Sequence, residues 1–94
     1  MLKTVIRIKK ENMNQWIPKV VSGKGPKYLQ IVTSLENAIA NGTLRPGDII
    51  PAQRQLANQL EIDLTTVTRA YTEARARSLI QTRLGKGTFI TDPD

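Results

Sequence analysis

The stretch IDLTTVTRAY, residues 62–71, decides how this chain is read. Five of its ten residues are β-branched (Ile62, Thr65, Thr66, Val67, Thr68), a composition that favours strands. The apolar positions nevertheless do not alternate. Val67, Ala70, Tyr71 and Ala74 follow the i, i+3, i+4, i+7 spacing of one helix face, and neither Gly nor Pro interrupts residues 61–84. The spacing predicts a helix over 63–77, with Asp63 as its N-cap and Thr65 and Thr66 at its second and third positions. Each threonine costs up to about 0.7 kcal/mol of helix propensity relative to alanine. A helix that carries three of them in four positions therefore has packing or a surface task to offset the cost.

Upstream, AQRQLANQL (52–60) predicts a second helix of about two turns that buries Leu56, Ala57 and Leu60, with Pro51 suited to its start. Residues 48–51, DIIP, read as a short extended segment. A longer helix begins at Pro26, with Leu29, Ile31, Val32, Leu35, Ala38 and Ile39 as its apolar stripe, and stops at NGTLRPG (41–47). Before it, SGKGP (22–26) is a flexible break, so residues 1–25 read as an arm or linker, although Trp16, Ile17, Val20 and Val21 are apolar enough to pack. Downstream, LIQTRLGKGTFI (79–90) predicts two short strands, 79–83 and 88–91, around a glycine-rich turn at 85–87. The expected fold class is mainly α with a small β hairpin: a winged helix-turn-helix of three helices and a two-stranded wing over residues 26–91. Residues 92–94 read as the start of a linker to a C-terminal domain.

Composition narrows the chemistry. The 94 residues contain no cysteine and no histidine, which removes thiolate and imidazole nucleophiles, disulfides and most zinc or haem ligation. Glu36, Asp48, Glu61, Asp63 and Glu73 form no acid pair or metal-ligand spacing and read as caps and surface charge. No catalytic residue, metal or cofactor is expected in this chain. No apolar run approaches 18 residues, and MLKTVIRIKK has lysines where a signal peptide needs an unbroken apolar stretch, so a soluble, cytoplasmic protein with no membrane partner is expected. The net charge is +6. Residues 1–27 carry seven basic and one acidic side chain, residues 28–63 two and four, and residues 64–91 five and one. A basic arm and a basic C-terminal third suit a polyanion.

Two short helices joined by about three residues, the second rich in Thr and Arg, are the makings of a helix-turn-helix, whose second helix enters the DNA major groove. Opposite the apolar face stand Thr65, Thr68, Arg69 and Thr72, with Thr66 beside them. Hydroxyls and guanidinium groups there can bond base edges or phosphates; a solvated face, with hydroxyls bonded back to the helix backbone, is the plain structural alternative. Gln53 and Arg54 open the helix that crosses the backbone, and Arg45 lies in the preceding turn, all within reach of phosphates. In TRLGKG (82–87), Arg83, Gly85 and Lys86 make a basic hairpin tip that can approach the backbone or minor groove. It is not a Walker A loop, because it lacks the earlier glycine and the Ser or Thr after the lysine.

Across LRPGDIIPAQRQLANQLEIDLTTVTRAYTEARARSLIQTRLGKGTFI (44–90) the L-x-P-G turn, P-x-x-R-x-L-A, T-V-x-x-A-Y, L-I and the G-x-G-T-F-I wing resemble the winged helix-turn-helix of GntR-family bacterial transcription regulators. WIPKVVSGKGPKYLQIVTSLENAIANG (16–42) extends the likeness and is most similar to the MocR subfamily. The resemblance implies a homodimeric regulator that binds double-stranded DNA at an inverted-repeat operator, with contacts at Arg54, Thr65, Thr66, Thr68, Gly85 and Lys86. It also implies, for a MocR-like full-length protein, pyridoxal phosphate held in a C-terminal domain. The alternative is a winged helix used for protein interaction or dimerisation without specific DNA binding. Three residues depart from the family pattern. Leu64 stands where Arg is frequent, Asp63 replaces a Ser or Thr cap, and Ser78 replaces a helix-ending glycine. A left-handed serine costs about 1–2 kcal/mol, so the third helix is expected to end differently here.

Overall fold

The elements run α1 (Lys27–Ala40), β1 (Ile49–Ile50), α2 (Gln53–Leu60), α3 (Leu64–Ala76), β2 (Ile80–Arg83) and β3 (Gly87–Ile90) in a computed structural model that describes residues 16–92. Each expected helix is present, its ends shifted by one residue at most; α3 starts at Leu64, after the N-cap Asp63, and ends at Ala76. Residues 1–15 of the expected arm and residues 93–94 of the expected linker lie outside the described residues. Within the rest of the arm, Trp16 and Val20 pack against the core. The Gln30 side chain holds that segment on α1: its Oε1 accepts from the Val21 amide at 2.8 Å, and its Nε2 donates to the carbonyls of Val21 and Gly25 at 2.9 and 3.0 Å.

The sheet has one strand more than the expected wing. Its order is β1-β3-β2, all antiparallel, with Ile49 opposite Phe89, Ile50 opposite Thr88, and Ile80 opposite Ile90. A two-residue strand has no readable period, so only the pairing shows it. The Gly47 amide donates to the Ile90 carbonyl (2.9 Å) and the Ile90 amide to the Asp48 carbonyl (2.8 Å), which draws the 45–48 turn onto the base of the wing.

Four α1 residues (Ile31, Val32, Leu35, Ala38), two from α2 (Leu56, Ala57), four from α3 (Val67, Ala70, Tyr71, Ala74) and Leu44, Ile50, Ile80 and Ile90 make one apolar cluster. No polar or charged residue is buried among those described. Leu29, expected in the α1 stripe, is only half-buried and stands outside the cluster, so the stripe is narrower than its apolar positions suggest. Tyr71 is the largest fully buried side chain. Its hydroxyl donates to the Pro51 carbonyl at 2.6 Å, joining the middle of α3 to the chain just before α2.

Two residues take left-handed backbone without being glycine: Glu61 (φ 57°) after α2 and Ser78 (φ 63°) after α3. Ser78 therefore ends its helix with the geometry that a glycine would have, not differently. The Leu79 amide donates to the Ala74 carbonyl and the Ser78 amide to the Arg75 carbonyl, each at 2.9 Å, and Glu61 heads the same paired arrangement through Ile62 to Ala57 (3.1 Å) and Glu61 to Asn58 (3.3 Å). Leu79, expected to begin the strand, is used in this closure. Asp63 occupies the N-cap position of α3 with extended backbone, but its carboxylate makes no capping hydrogen bond. The cap contact there is the Asp63 carbonyl, which accepts from the Thr66 amide at 3.1 Å.

Because the left-handed conformation costs a non-glycine residue about 1–2 kcal/mol, part of which glycine returns in unfolded-state entropy, Ser78→Gly and Glu61→Gly are each expected to stabilise by about 0.5–1 kcal/mol in urea unfolding. Desolvation by burial raises the Tyr71 pKa far above its usual value. The unfolded phenol ionises near pH 10 and the folded one does not, so this contribution is complete below about pH 10 and falls as pH rises beyond it. Stability measured from pH 9 to 11.5 is expected to drop more steeply for the native chain than for Tyr71→Phe, and Tyr71→Phe to lose about 1–2 kcal/mol at pH 7.

Candidate nucleic-acid interface

With Val67, Ala70, Tyr71 and Ala74 turned inward, α3 leaves Thr65, Thr68 and Thr72 exposed and Thr66 half-buried, as the helical spacing requires. Thr65 and Thr66 lie in the first turn of α3, the end of a helix where an anion is favoured, although the Thr66 amide is already bonded to the Asp63 carbonyl. Thr68 is not a free hydroxyl. It donates to Gln53 Oε1 at 2.6 Å, so the first residue of α2 and the fifth residue of α3 form one polar unit across the helix-turn-helix. That bond fixes the Gln53 carboxamide with its Nε2 donors unspent on Thr68.

Four exposed cations stand on the neighbouring elements. Arg54 follows Gln53 on α2, exposed, and makes no ion pair with Asp48, Glu61 or any other described residue. Arg45 is exposed in a turn made rigid by its own amide donating to Asp48 Oδ2 (2.9 Å) and by the Asp48 amide donating to the Arg45 carbonyl (2.9 Å). Lys86 stands at the wing tip, exposed, beside Gly85 at φ 80°. Arg83 opens the same turn with its guanidinium carbon 5.4 Å from the Phe89 ring centroid. Thr82 and Thr88 share a 3.2 Å hydroxyl contact across the hairpin below it.

Arg69, expected on the groove face, is exposed and has a partner within the domain. Its guanidinium carbon lies 4.0 Å from the centroid of the Tyr28 ring, on the α1 flank of α3 rather than beside Thr68. One residue is a 100° step round a helix, and this step carries Arg69 onto the side where Arg77 pairs with Glu73 (2.8 Å) and with Glu36 of α1 (3.1 Å). Tyr28 was not singled out by the sequence; its place in the first turn of α1, next to Lys27, is the only signal it offers. Leu64, where arginine is frequent in the resembling family, packs half-buried against the core cluster. An apolar contact thus replaces a cation at the start of α3.

A cleft of about 990 Å³ opens elsewhere, between Trp16, Ile17, β1 and the 43–52 segment, and no α3 residue lines it. Its single carboxylate, Asp48, is engaged with the Arg45 amide. No group of three or more His, Cys, Asp or Glu side chains could hold a metal among the described residues. No helix among them is long and apolar enough to cross a membrane.

The geometry has counterparts in known proteins. The chain is 33% identical over 76 residues to the HTH-type transcriptional regulator YdeF of Bacillus subtilis, covering 81% of this chain and 16% of that protein. It spans 52–65% of the length of three further relatives that are transcriptional regulators. YtrA from Sulfolobus acidocaldarius, a GntR-family transcription factor, superposes with a TM-score of 0.75 at 30% identity, covering 84% of each chain. The DNA-binding domain of AraR in complex with operator ORE1 superposes with a TM-score of 0.66 at 25% identity, over 81% of this chain and 94% of that one. Residues 27–90 match the family described as bacterial regulatory proteins, gntR family, and the chain belongs to it.

Proposed function

We propose that this domain reads an operator in double-stranded DNA for a bacterial transcription regulator. The observation that carries the reading is the face itself: exposed Thr65 and half-buried Thr66 in the first turn of α3, the Thr68–Gln53 pair, and exposed Arg54, Arg45 and Lys86, which form no ion pair with any described acid. In this reading α3 enters the major groove, Thr65 and Thr66 meet phosphates or base edges, Gln53 and Arg54 fix the register on the backbone, and the wing follows with Arg83, Gly85 and Lys86. The AraR domain bound to operator DNA supports it through a shared fold. The reaction class is binding, not catalysis, as in the regulators to which the chain is related.

Two copies related by a two-fold axis would read an inverted repeat with half-sites about 34 Å apart, or a multiple of that distance. The homodimer rests on this match between half-site and symmetry. The finer MocR assignment draws on residues 16–42 and implies pyridoxal phosphate in a C-terminal domain. The relatives include one of which this chain is 16% and others of which it is 52–65%, so the same DNA-reading unit serves long and short regulators and does not itself carry that assignment. A soluble cytoplasmic regulator follows from the same reading.

With four to six phosphates contacted per subunit, log affinity for a random 20-base-pair duplex is expected to fall against log salt with a slope of about −4 to −5 per subunit. Salt-independent association would contradict this. Arg54→Ala should weaken binding to every duplex and flatten the slope by about 1. Thr68→Val and Gln53→Ala, tested on the tightest duplex from a selected pool, should each cost about tenfold, and the double variant no more than either. A hundredfold loss in the double variant would mean that the two side chains contact DNA independently.

A further inference from the structure

Leu84 is fully exposed, at 101% of its reference area, the most exposed large apolar side chain among those described. It occupies the apex of the wing. The Lys86 amide donates to the Arg83 carbonyl at 2.9 Å, and Gly85 at φ 80° is the third residue of that four-residue turn, the type II pattern, so Leu84 is held at the second position. Below it, Arg83 pairs with Gly87 and Thr82 with Thr88 in register. Leu84 thus stands in a hydrogen-bonded turn on a paired hairpin.

Its neighbours say what it meets. Arg83, Gly85, Lys86 and Gly87 are all exposed, and the other exposed large apolar residues, Ile17, Val21 and Ile49, belong to other elements. A lone leucine makes no protein-docking patch, which needs on the order of 1,000 Å² of complementary surface. One apolar tip between two cations does match a narrow groove with apolar sugar walls and phosphate rims. The minor groove is about 6 Å wide and 7.5 Å deep, and the guanine 2-amino group partly fills its floor. We propose that Leu84 is the wing's apolar minor-groove contact and favours duplexes whose minor groove lacks the guanine 2-amino group. This rests on the DNA-binding reading above. Apolar residues at this depth contact sugars and base edges and can wedge between base steps.

The test uses three polymers, poly(dI-dC), poly(dG-dC) and poly(dA-dT), with the 94-residue chain. Inosine and guanine present the same major-groove atoms and differ by the minor-groove amino group, so the pair isolates the minor groove. The native chain is expected to bind poly(dI-dC) and poly(dA-dT) about tenfold more tightly than poly(dG-dC), the size of burying roughly half a leucine side chain. Leu84→Ala should lose that preference with its salt slope unchanged, and Leu84→Met should keep it. Lys86→Ala should keep the preference and flatten the slope by about 1. Because Leu84 contributes nothing to the core, the variants should unfold at the native temperature, and equal melting confirms that binding differences are local. Equal affinity of native and Leu84→Ala chains for all three polymers would overturn the Leu84 contact and leave DNA binding standing. Failure of the native chain to bind any polymer at low salt would overturn both.

Discussion

The Tyr71 hydroxyl bonded to the Pro51 carbonyl is the constraint on which the rest depends. It joins the centre of α3 to the residue that precedes the N-cap of α2, so the two helices of the helix-turn-helix cannot slide past each other. The acceptor is available because Pro51 precedes the helix and its carbonyl is not consumed in a strand pair. Full burial of the ring in the apolar cluster makes the bond hard to exchange for water. Thr68, three residues before Tyr71 on α3, meets Gln53, two residues after Pro51, at 2.6 Å along the same interface. A buried phenol bond and an exposed hydroxyl bond thus set the same angle twice, once for the core and once for the face presented to a partner.

The wing is fixed by the same economy. Residues 45–48 fold back through Asp48, which accepts from the Arg45 amide with its carboxylate and from the Ile90 amide with its carbonyl. One residue therefore positions a surface arginine and anchors β3. The strand that follows, Ile49–Ile50, closes the sheet beside β3, and Ile50 turns inward while Ile49 remains exposed. Arg77, paired with Glu73 and Glu36, ties the end of α3 to α1 at the surface, where exposed pairs add little stability but hold orientation.

Much of this was legible in the chain. The 67, 70, 71, 74 spacing located α3 and its inward face because a helix must repeat its apolar positions, and Gly85-Lys86-Gly87 located the wing because few residues other than glycine accept its turn. Contacts between distant residues were not legible. Spacing places Arg69 on the outer side of α3, but not over Tyr28, whose position depends on how α1 crosses α3. Ser78 looked like a reason to end α3 differently, but the Leu79 and Ser78 amides close the helix with Ser78 in the left-handed conformation. Asp63 had the composition of a cap without the bond. Leu84 lies between the expected strand 79–83 and the turn at 85–87, where spacing does not say whether a leucine is buried or exposed.

The β-branched composition of residues 62–71 is resolved by the two faces of α3. Val67 is fully buried and Ile62 packs against the core, while the threonines offer short side chains with one hydroxyl and one methyl each on the outer side. Selection of bound duplexes from a random pool by the native chain tests the central claim most directly. The account predicts enrichment of an inverted repeat whose half-sites lie about one helical turn apart, or a multiple of it. A pool that binds but enriches no motif would contradict base readout by α3.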